Sequence, residues 1–409
     1  MNMAVEQTVR VGILRSNEIN VVFHSTYLLD GKPFIGEHRF TLNDVRHAGG
    51  RMLFALASRI DEGSDMHEAF FMLKDVVIGI GFHWQRKENQ TFAGELELIE
   101  EDGLVRAVNC VQVETYLTSV ISSEMSADAS LNLLRAHAVI SRSWLVAMMR
   151  KSRAHEKAFA KHEQLGKDSI IRWYGSEAHR LFDVCADDHC QRYQGLTRQT
   201  NGNVAHAIDD TRGLVLTYDG AICDARFSKC CGGMTEVFES CWENVRHPYL
   251  VTKPDPYCNT DDVRILGHVL NSYDKETNDF YRWTVRLPRE RATELICRKS
   301  GIDFGEIREL VPVERSEAGH VVLLKIVGEK RIVTVGKELE IRKWLSESHL
   351  YSSAFEVENI EDGFVLHGKG WGHGVGLCQI GAAVMGDKGV PYEDILQFYY
   401  PGTELTKMW

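Results

Sequence analysis

The chain has 409 residues, 44% of them apolar and 26% charged, with a formal net charge of -11 and a pI near 5.9. That length buries a full core and suggests two or three domains, while the acidic balance argues against nucleic acid as a partner. No apolar run approaches the roughly eighteen residues of a transmembrane segment, and the opening MNMAVEQTVRVGI has neither a basic start leading into an apolar core nor a lipobox-like cysteine.

Residues 9–14 and 18–23 alternate like two short strands split by a polar turn, and further strand-like runs fall at 76–80, 93–98 and 104–109. A mixed segment at 44–71 has room for a helix. The expectation is a β-rich N-terminal region over residues 1–103, acting as an edge domain or the wall of a substrate groove, or else as a separate binding module.

The apolar-rich run from Tyr116 to Ser123 predicts a helix packed on the core, with Glu124 near its end. Partial burial there favours the protonated carboxyl that a general acid needs, although a solvated side chain is the ordinary state of a glutamate. Glu114, ten residues earlier, points about 80° away on one continuous helix and suits the first turn, where negative charge meets the helix dipole. A second helix is expected after Asp128 as its cap, with Leu131, Leu134, Ala138, Leu145 and Met148 at helical spacing. Leu133, Ile140 and Trp144 widen its apolar face, which implies burial. Arg135 and Arg142 share a stripe and have two readings: binding an acidic group of a ligand, or pairing with helix carboxylates.

His179, Cys185, His189 and Cys190 fall within HRLFDVCADDHC. Two imidazoles and two thiolates make a full tetrahedral set for zinc, and with four protein ligands such a metal would be structural. A small Cys185–Cys190 disulfide and a plain polar loop are the other readings. The remaining cysteines, at 110, 223, 230, 231, 241, 258, 297 and 378, show no clean CxxC pair.

Strands are expected at 212–216 and 221–227 around the hairpin signal Asp219-Gly220, and again at 280–287, 309–314 and 320–327. Helices are expected at 289–300 and 336–345, and a short one at 392–398 behind Pro391. Between them lies GWGHGVGLCQIGA at 370–382. It is not a phosphate loop, because no Lys-Ser/Thr pair follows the glycines. It is either a close-packed turn around a core histidine, or a backbone-lined cleft. In the second case His373 and Gln379 supply hydrogen bonds and Trp371 a flat apolar face, a set suited to a polyhydroxylated ring. Cys378 near His373 adds a cysteine nucleophile with a histidine base as a further option.

The GHGVGLCQIGA run, followed by QFYYPGTEL, resembles the C-terminal signature of the stage II sporulation protein D family, also called SpoIID/LytB. Residues 109–145, NCVQVETYLTSVISSEMSADASLNLLRAHAVISRSWL, look like that family's catalytic segment. DARFSKCCGGMTE, with Trp242 and Pro248-Tyr249-Leu250 downstream, is similar to its Gly-Gly-x-Thr-Glu stretch. The resemblance spans roughly residues 104–405.

The expected elements read as an α+β fold, and with the resemblance this gives the β-rich N-terminal region joined to a SpoIID-like catalytic domain over 104–409 that carries a substrate groove. The implied activity is that of a peptidoglycan lytic transglycosylase, a glycan-strand lyase whose single glutamate, here Glu124, serves as acid and then base. Arg142 would meet the muramic lactyl carboxylate, and Trp371, His373 and Gln379 would line the sugar site. Some sporulation members are similar in carrying a His/Cys/His/Cys zinc site, so zinc is expected on His179, Cys185, His189 and Cys190, and no organic cofactor. Peptidoglycan glycan strands are the expected partner and a cell-wall amidase a further one, with the cell envelope or periplasm as the place. His137 stands where the family usually has glutamine, Ser141 where it has alanine. Cys230, Cys231 and Cys378 stand where small residues are common, as isosteric replacements. Two alternatives remain: a noncatalytic wall-binding protein that enhances an amidase, and a hydrolytic muramidase, which needs a second carboxylate such as Glu114 or Glu236 near the cleft.

Overall fold

The computed structural model describes residues 5–57, 70–79, 85–154, 163–175, 179–187, 189–198, 202–270 and 279–409. Its helices are α1 (Leu42–His47), α2 (Val113–Glu124), α3 (Leu131–Ala154), α4 (Asn203–Asp210), α5 (Val263–Val269), α6 (Arg289–Ser300), α7 (Glu338–Trp344), α8 (Gln379–Asp387) and α9 (Tyr392–Tyr399). The fold is α+β. No described helix is long and apolar enough to cross a membrane.

The alternating N-terminal runs become long antiparallel strands. Thr8–Ser16 buries Val9 and Val11 on one face, and Glu18–Leu29 does the same with Ile19, Val21 and Phe23. One large sheet follows the order Val184–Cys185, Thr8–Ser16, Leu104–Gln112, Glu95–Glu101, Arg51–Leu56, Glu18–Leu29, Phe70–Ile78 and Arg86–Ala93, with Lys32–Thr41 paired to Glu18–Leu29. The expected domain break at residue 103 therefore lies inside a sheet, because Leu104–Gln112 is hydrogen-bonded to strands on both sides of it. The N-terminal region is a wall of the main unit, and its apolar face shares one core with α2, α3 and α8. A second core, with Trp283, Leu295, Phe304, Leu324, Ile341 and Phe364, belongs to a smaller α+β unit inserted before the glycine-rich block. Its sheet also takes in Glu163–Leu165 and Ser169–Arg172, the latter paired in parallel with Ile332–Gly336.

Within the 44–71 segment the structure has the end of α1 and then the strand Arg51–Leu56; residues 58–69 lie outside the described residues. The cap of α3 is Ser130, whose Oγ accepts from the Leu133 N–H at 3.3 Å. Asp128 does not cap it; its own N–H is turned to Ser126 Oγ, 3.1 Å away. The hairpin at Asp219-Gly220 forms, pairing Thr217 with Ile222 and Tyr218 with Ala221, but its second strand ends at Ile222. Phe227–Ser228 leaves that hairpin and pairs in parallel with Leu377–Cys378, which draws the Cys-Cys-Gly-Gly stretch onto the glycine-rich block.

Candidate functional site

A cleft of about 1050 Å³ runs between the main unit and the smaller one, with Glu124, Gln379, Trp371 and His373 among its lining residues. Glu124 is the last residue of α2, and Met125 behind it is extended (φ -151°, ψ 168°). The helix thus stops with the carboxyl at the cleft floor, 8% exposed. Its Oε1 accepts from the Arg192 backbone N–H at 3.3 Å, and its Oε2 from the Gln379 side-chain amide at 3.5 Å. The Glu124 backbone carbonyl faces the Lys229 ammonium at 3.5 Å.

Gln379 opens α8 and is buried. Its Nε2 also lies 3.0 Å from His137 Nε2. An amide nitrogen only donates, so His137 Nε2 accepts and the imidazole proton sits on Nδ1, which faces Ser141 Oγ at 3.2 Å. The departures from the family pattern at 137 and 141 are therefore one unit: His137 and Ser141 together steady the amide that meets the acid.

Burial pushes His137 down to about 3, with the Lys229 charge adding to the effect. Its folded value is below the ordinary 6.5, so its share of stability is whole above about pH 6.5 and is lost as pH falls toward 3. We expect His137→Gln, which keeps hydrogen bonding without titrating, to remove about 2 kcal/mol of the stability loss between pH 7 and pH 5. Urea unfolding of both proteins at the two pH values checks this; an unchanged pH slope would mean that His137 is protonated in the folded state.

The glycine-rich block is held by backbone. Cys230 and Trp371 exchange N–H to carbonyl bonds at 3.0 and 2.7 Å. Gly376 has φ +72°, and a Cβ there would collide with the Arg226 carbonyl. Trp371 stands half-buried at the cleft with Tyr351 edge-on at 6.0 Å. His373 lines the cleft through its ring, but both nitrogens are committed: Nδ1 accepts from the Val375 N–H at 3.0 Å and the other bonds the Phe227 carbonyl. Burial holds its imidazole well below 6.5. His373 thus presents ring edge and face, not a base. Cys378 is fully buried and its sulfur accepts from the Cys231 and Gly381 N–H groups at 3.3 and 3.5 Å, so the cysteine–histidine pair has no geometry to support it.

Three of the candidate residues are elsewhere. Arg142 is fully buried and does not reach a ligand: its guanidinium bonds Glu114 at 2.6 Å and the Leu214 carbonyl at 2.9 Å. The pairing alternative is the one realised, because a buried guanidinium needs a buried anion. Glu114 sits in the first turn of α2 as expected, yet it also accepts from the Gly213 N–H at 2.8 Å and the Trp409 indole at 3.0 Å. Glu236, buried among Val237 N–H, Ser240 and Ser316, is raised by burial to about 7. Neither Glu114 nor Glu236 lines the cleft.

The walls contribute what spacing could not show. Trp144, Tyr174 and Trp242 give flat apolar faces, with the Arg226 guanidinium 4.3 Å over the Trp242 ring and the Trp242 indole bonded to the Tyr174 carbonyl at 3.1 Å. Although the chain is acidic overall, Lys and Arg outnumber Asp and Glu in this lining, among them Arg172, Arg192, Arg226, Lys229 and Lys343. A cleft lined mainly by basic residues concentrates anionic ligands regardless of net charge. Arg192 had no signal in the sequence, because it acts on Glu124 through its backbone.

His179, Cys185, His189 and Cys190 converge, with one donor atom from each within 4.8 Å of the others. Cys190 Sγ lies 3.4 Å from His179 Nε2 and 3.6 Å from His189 Nδ1, against about 3.5 Å for the N–S edge of a zinc tetrahedron. Cys185 and Cys190 are free thiols. This loop carries Arg192 directly after it, and Val184–Cys185 anchors it in parallel to Thr8–Ser16. The donors fit zinc in kind, number and spacing.

Comparison with known proteins gives two family matches: the stage II sporulation protein (SpoIID) model over residues 101–218 and a domain of unknown function over residues 236–376. An uncharacterized protein of Brachyspira hyodysenteriae is 29% identical across 77% of this chain and 72% of its own length. Stage II sporulation protein D of Bacillus subtilis is 24% identical across 74% of this chain and 76% of its own. The amidase enhancer of Bacillus subtilis is 26% identical across 71% of this chain and 40% of its own.

Proposed function

The chain belongs to the stage II sporulation protein D family, and from that premise we propose that it is a lytic transglycosylase acting on the glycan strands of bacterial peptidoglycan. The observation that carries this is one carboxyl placed at the floor of a large aromatic and basic cleft whose other acidic lining residues are Asp187, Glu338, Glu340 and Glu347. Glu124 is held at the floor by a backbone N–H and an amide, while Glu114 and Glu236 are buried outside the lining. Among the other lining carboxylates Glu338, Glu340 and Glu347 are bound to arginines.

One carboxyl suffices when the nucleophile is internal. Glu124 protonates the glycosidic oxygen as the bond to the muramic C1 breaks. As a carboxylate it then takes the proton of the muramic C6 hydroxyl, whose oxygen closes the 1,6-anhydro ring. Covalent attachment already positions that hydroxyl. The Gln379 amide and the Arg192 N–H offer two donors to the carboxylate form. Trp371, Trp242 and Tyr174 stack against sugar faces, and the basic lining suits the lactyl carboxylate or an acidic stem peptide.

Mass spectrometry of glycan strands after incubation with the protein tests this. Anhydro-muramic ends support it, whereas reducing ends mean hydrolysis. The similarity to an amidase enhancer favours a second reading, a wall-binding protein that assists an amidase. Unchanged strands together with a stimulated amidase would establish that one.

We also propose a structural zinc on His179, Cys185, His189 and Cys190. Bound there, it would brace the loop whose next residues give Glu124 its backbone donor. Stripping zinc with a chelator, or Cys190→Ser, should cost at least about 4 kcal/mol of stability, read as a lower Tm that added zinc restores for the wild type only. A Tm indifferent to chelator and zinc would refute the assignment.

A further inference from the structure

Outside the lining of the cleft, three thiols and a carboxylate converge in the interior. Cys231, Asp255, Cys258 and Cys378 are all buried, and one donor atom from each lies within 4.8 Å of every other. We propose that these four residues hold a second, structural zinc ion, separate from the His179 loop and outside the cleft lining.

The spacing selects this over the alternatives. Cys231 Sγ is 3.6 Å from Cys258 Sγ and 3.3 Å from Asp255 Oδ2, close to the roughly 3.5–3.8 Å edges of a tetrahedron with zinc–sulfur and zinc–oxygen bonds of ordinary length. A disulfide needs its sulfurs about 2 Å apart, and all these cysteines are free. An iron–sulfur cluster spreads its thiolates over separate irons, which four donors this close around one point do not allow. Thiolate donors exclude magnesium and calcium in favour of a softer ion. The Cys230 thiol adjoins Cys258 and Cys378, but the set assigned is the one in which all four donor atoms are mutually close.

The surroundings are those of ligands held for a metal. Cys378 Sγ accepts from the Cys231 and Gly381 backbone N–H groups at 3.3 and 3.5 Å, the latter in the first turn of α8. Amide donors there stabilise a thiolate. Asp255 is oriented on both oxygens: Oδ2 accepts from the Tyr399 hydroxyl and Oδ1 from the Tyr257 N–H, each at 2.9 Å, the outer bonding that ligating carboxylates require. An isosteric replacement explains one buried cysteine at a time; it does not explain three of them converging on a 2% exposed aspartate.

The ion would join three segments distant in sequence: the turn after Phe227–Ser228, the loop at 255–258, and the first turn of α8. Cys378 is followed directly by Gln379, so the metal would fix the amide that meets Glu124.

Native mass spectrometry and elemental analysis of the purified full chain test this. The expected result is about two zinc ions per chain in the wild type and one each in Cys185→Ser and Cys258→Ser. One ion lost in Cys258→Ser but kept in Cys185→Ser would support this site and remove the loop zinc. One ion lost only in Cys185→Ser would overturn this site. Should Cys258→Ser fail to fold, Cys185→Ser is reloaded with cobalt: thiolate-to-cobalt absorption and tetrahedral bands support the cluster, and a colourless protein refutes it. A Cys231–Cys258 disulfide found by denaturing mass analysis of unreduced wild type would also overturn the proposal.

Discussion

Glu124→Gln is expected to lower the rate of anhydro-muramic end formation by about 10³–10⁴-fold while the protein keeps its fold and its grip on glycan. An amide neither gives a proton to the glycosidic oxygen nor takes one from the C6 hydroxyl. Its effect on folding should be small, because the contacts it replaces are long ones, 3.3 Å to the Arg192 N–H and 3.5 Å to Gln379. Stacking on Trp371 and the basic wall are untouched, so the loss should appear in kcat with little change in KM. Turnover of defined strands, with glycan pull-down as the binding control, measures both. A variant within tenfold of the wild type would take the acid role away from Glu124.

The second large effect is on stability. Arg142→Ala should destabilise the protein by about 3–5 kcal/mol, because it strands a buried carboxylate with only the Gly213 N–H and the Trp409 indole as donors. Arg142→Lys should recover little, since an ammonium cannot bond Glu114 through two nitrogens and also reach the Leu214 carbonyl. The double change Glu114→Gln with Arg142→Met should be milder than Arg142→Ala alone, as no unpaired charge is left. Urea midpoints at pH 7 decide it; a cost under 1 kcal/mol for Arg142→Ala would show that water reaches Glu114.

Period and punctuation carried much of the fold. The N-terminal alternation gave the strands of the large sheet, and α2, α6 and α9 follow their expected spans closely. The failures have local causes. Gly94 sits at the break between Arg86–Ala93 and Glu95–Glu101, so a run that alternates continuously is two strands. Helix α8 was hidden by its glycines: a Cβ at Gly381 would strike Tyr399 and Asp255, so tertiary packing overrides helix propensity there. Phe355–Ile360 and Gly363–Lys369 were not expected, because their pairing with each other and with Arg282–Pro288 is not written in either run alone.

At the site, residue types were legible and partnerships were not. Glu124, Trp371, His373 and Gln379 do meet in one cleft, but Arg142 belongs to the interior. A stripe on a helix shows which residues share a face, not whether that face meets solvent or another element. The Arg192 contribution is backbone, which no residue type encodes. The Cys231, Cys258 and Cys378 cluster has no spacing signal because its members come from three separate segments.

The bond between Gln379 and Glu124 spans 255 positions of sequence, and this sets when the protein can first act. During synthesis Glu124 leaves the ribosome long before the residues that complete its surroundings exist. Until Leu377–Cys378 docks beside Phe227–Ser228 the cleft around Glu124 is incomplete. A chain cut before Leu377 should therefore lack the activity proposed for the cleft, even with Glu124 in place.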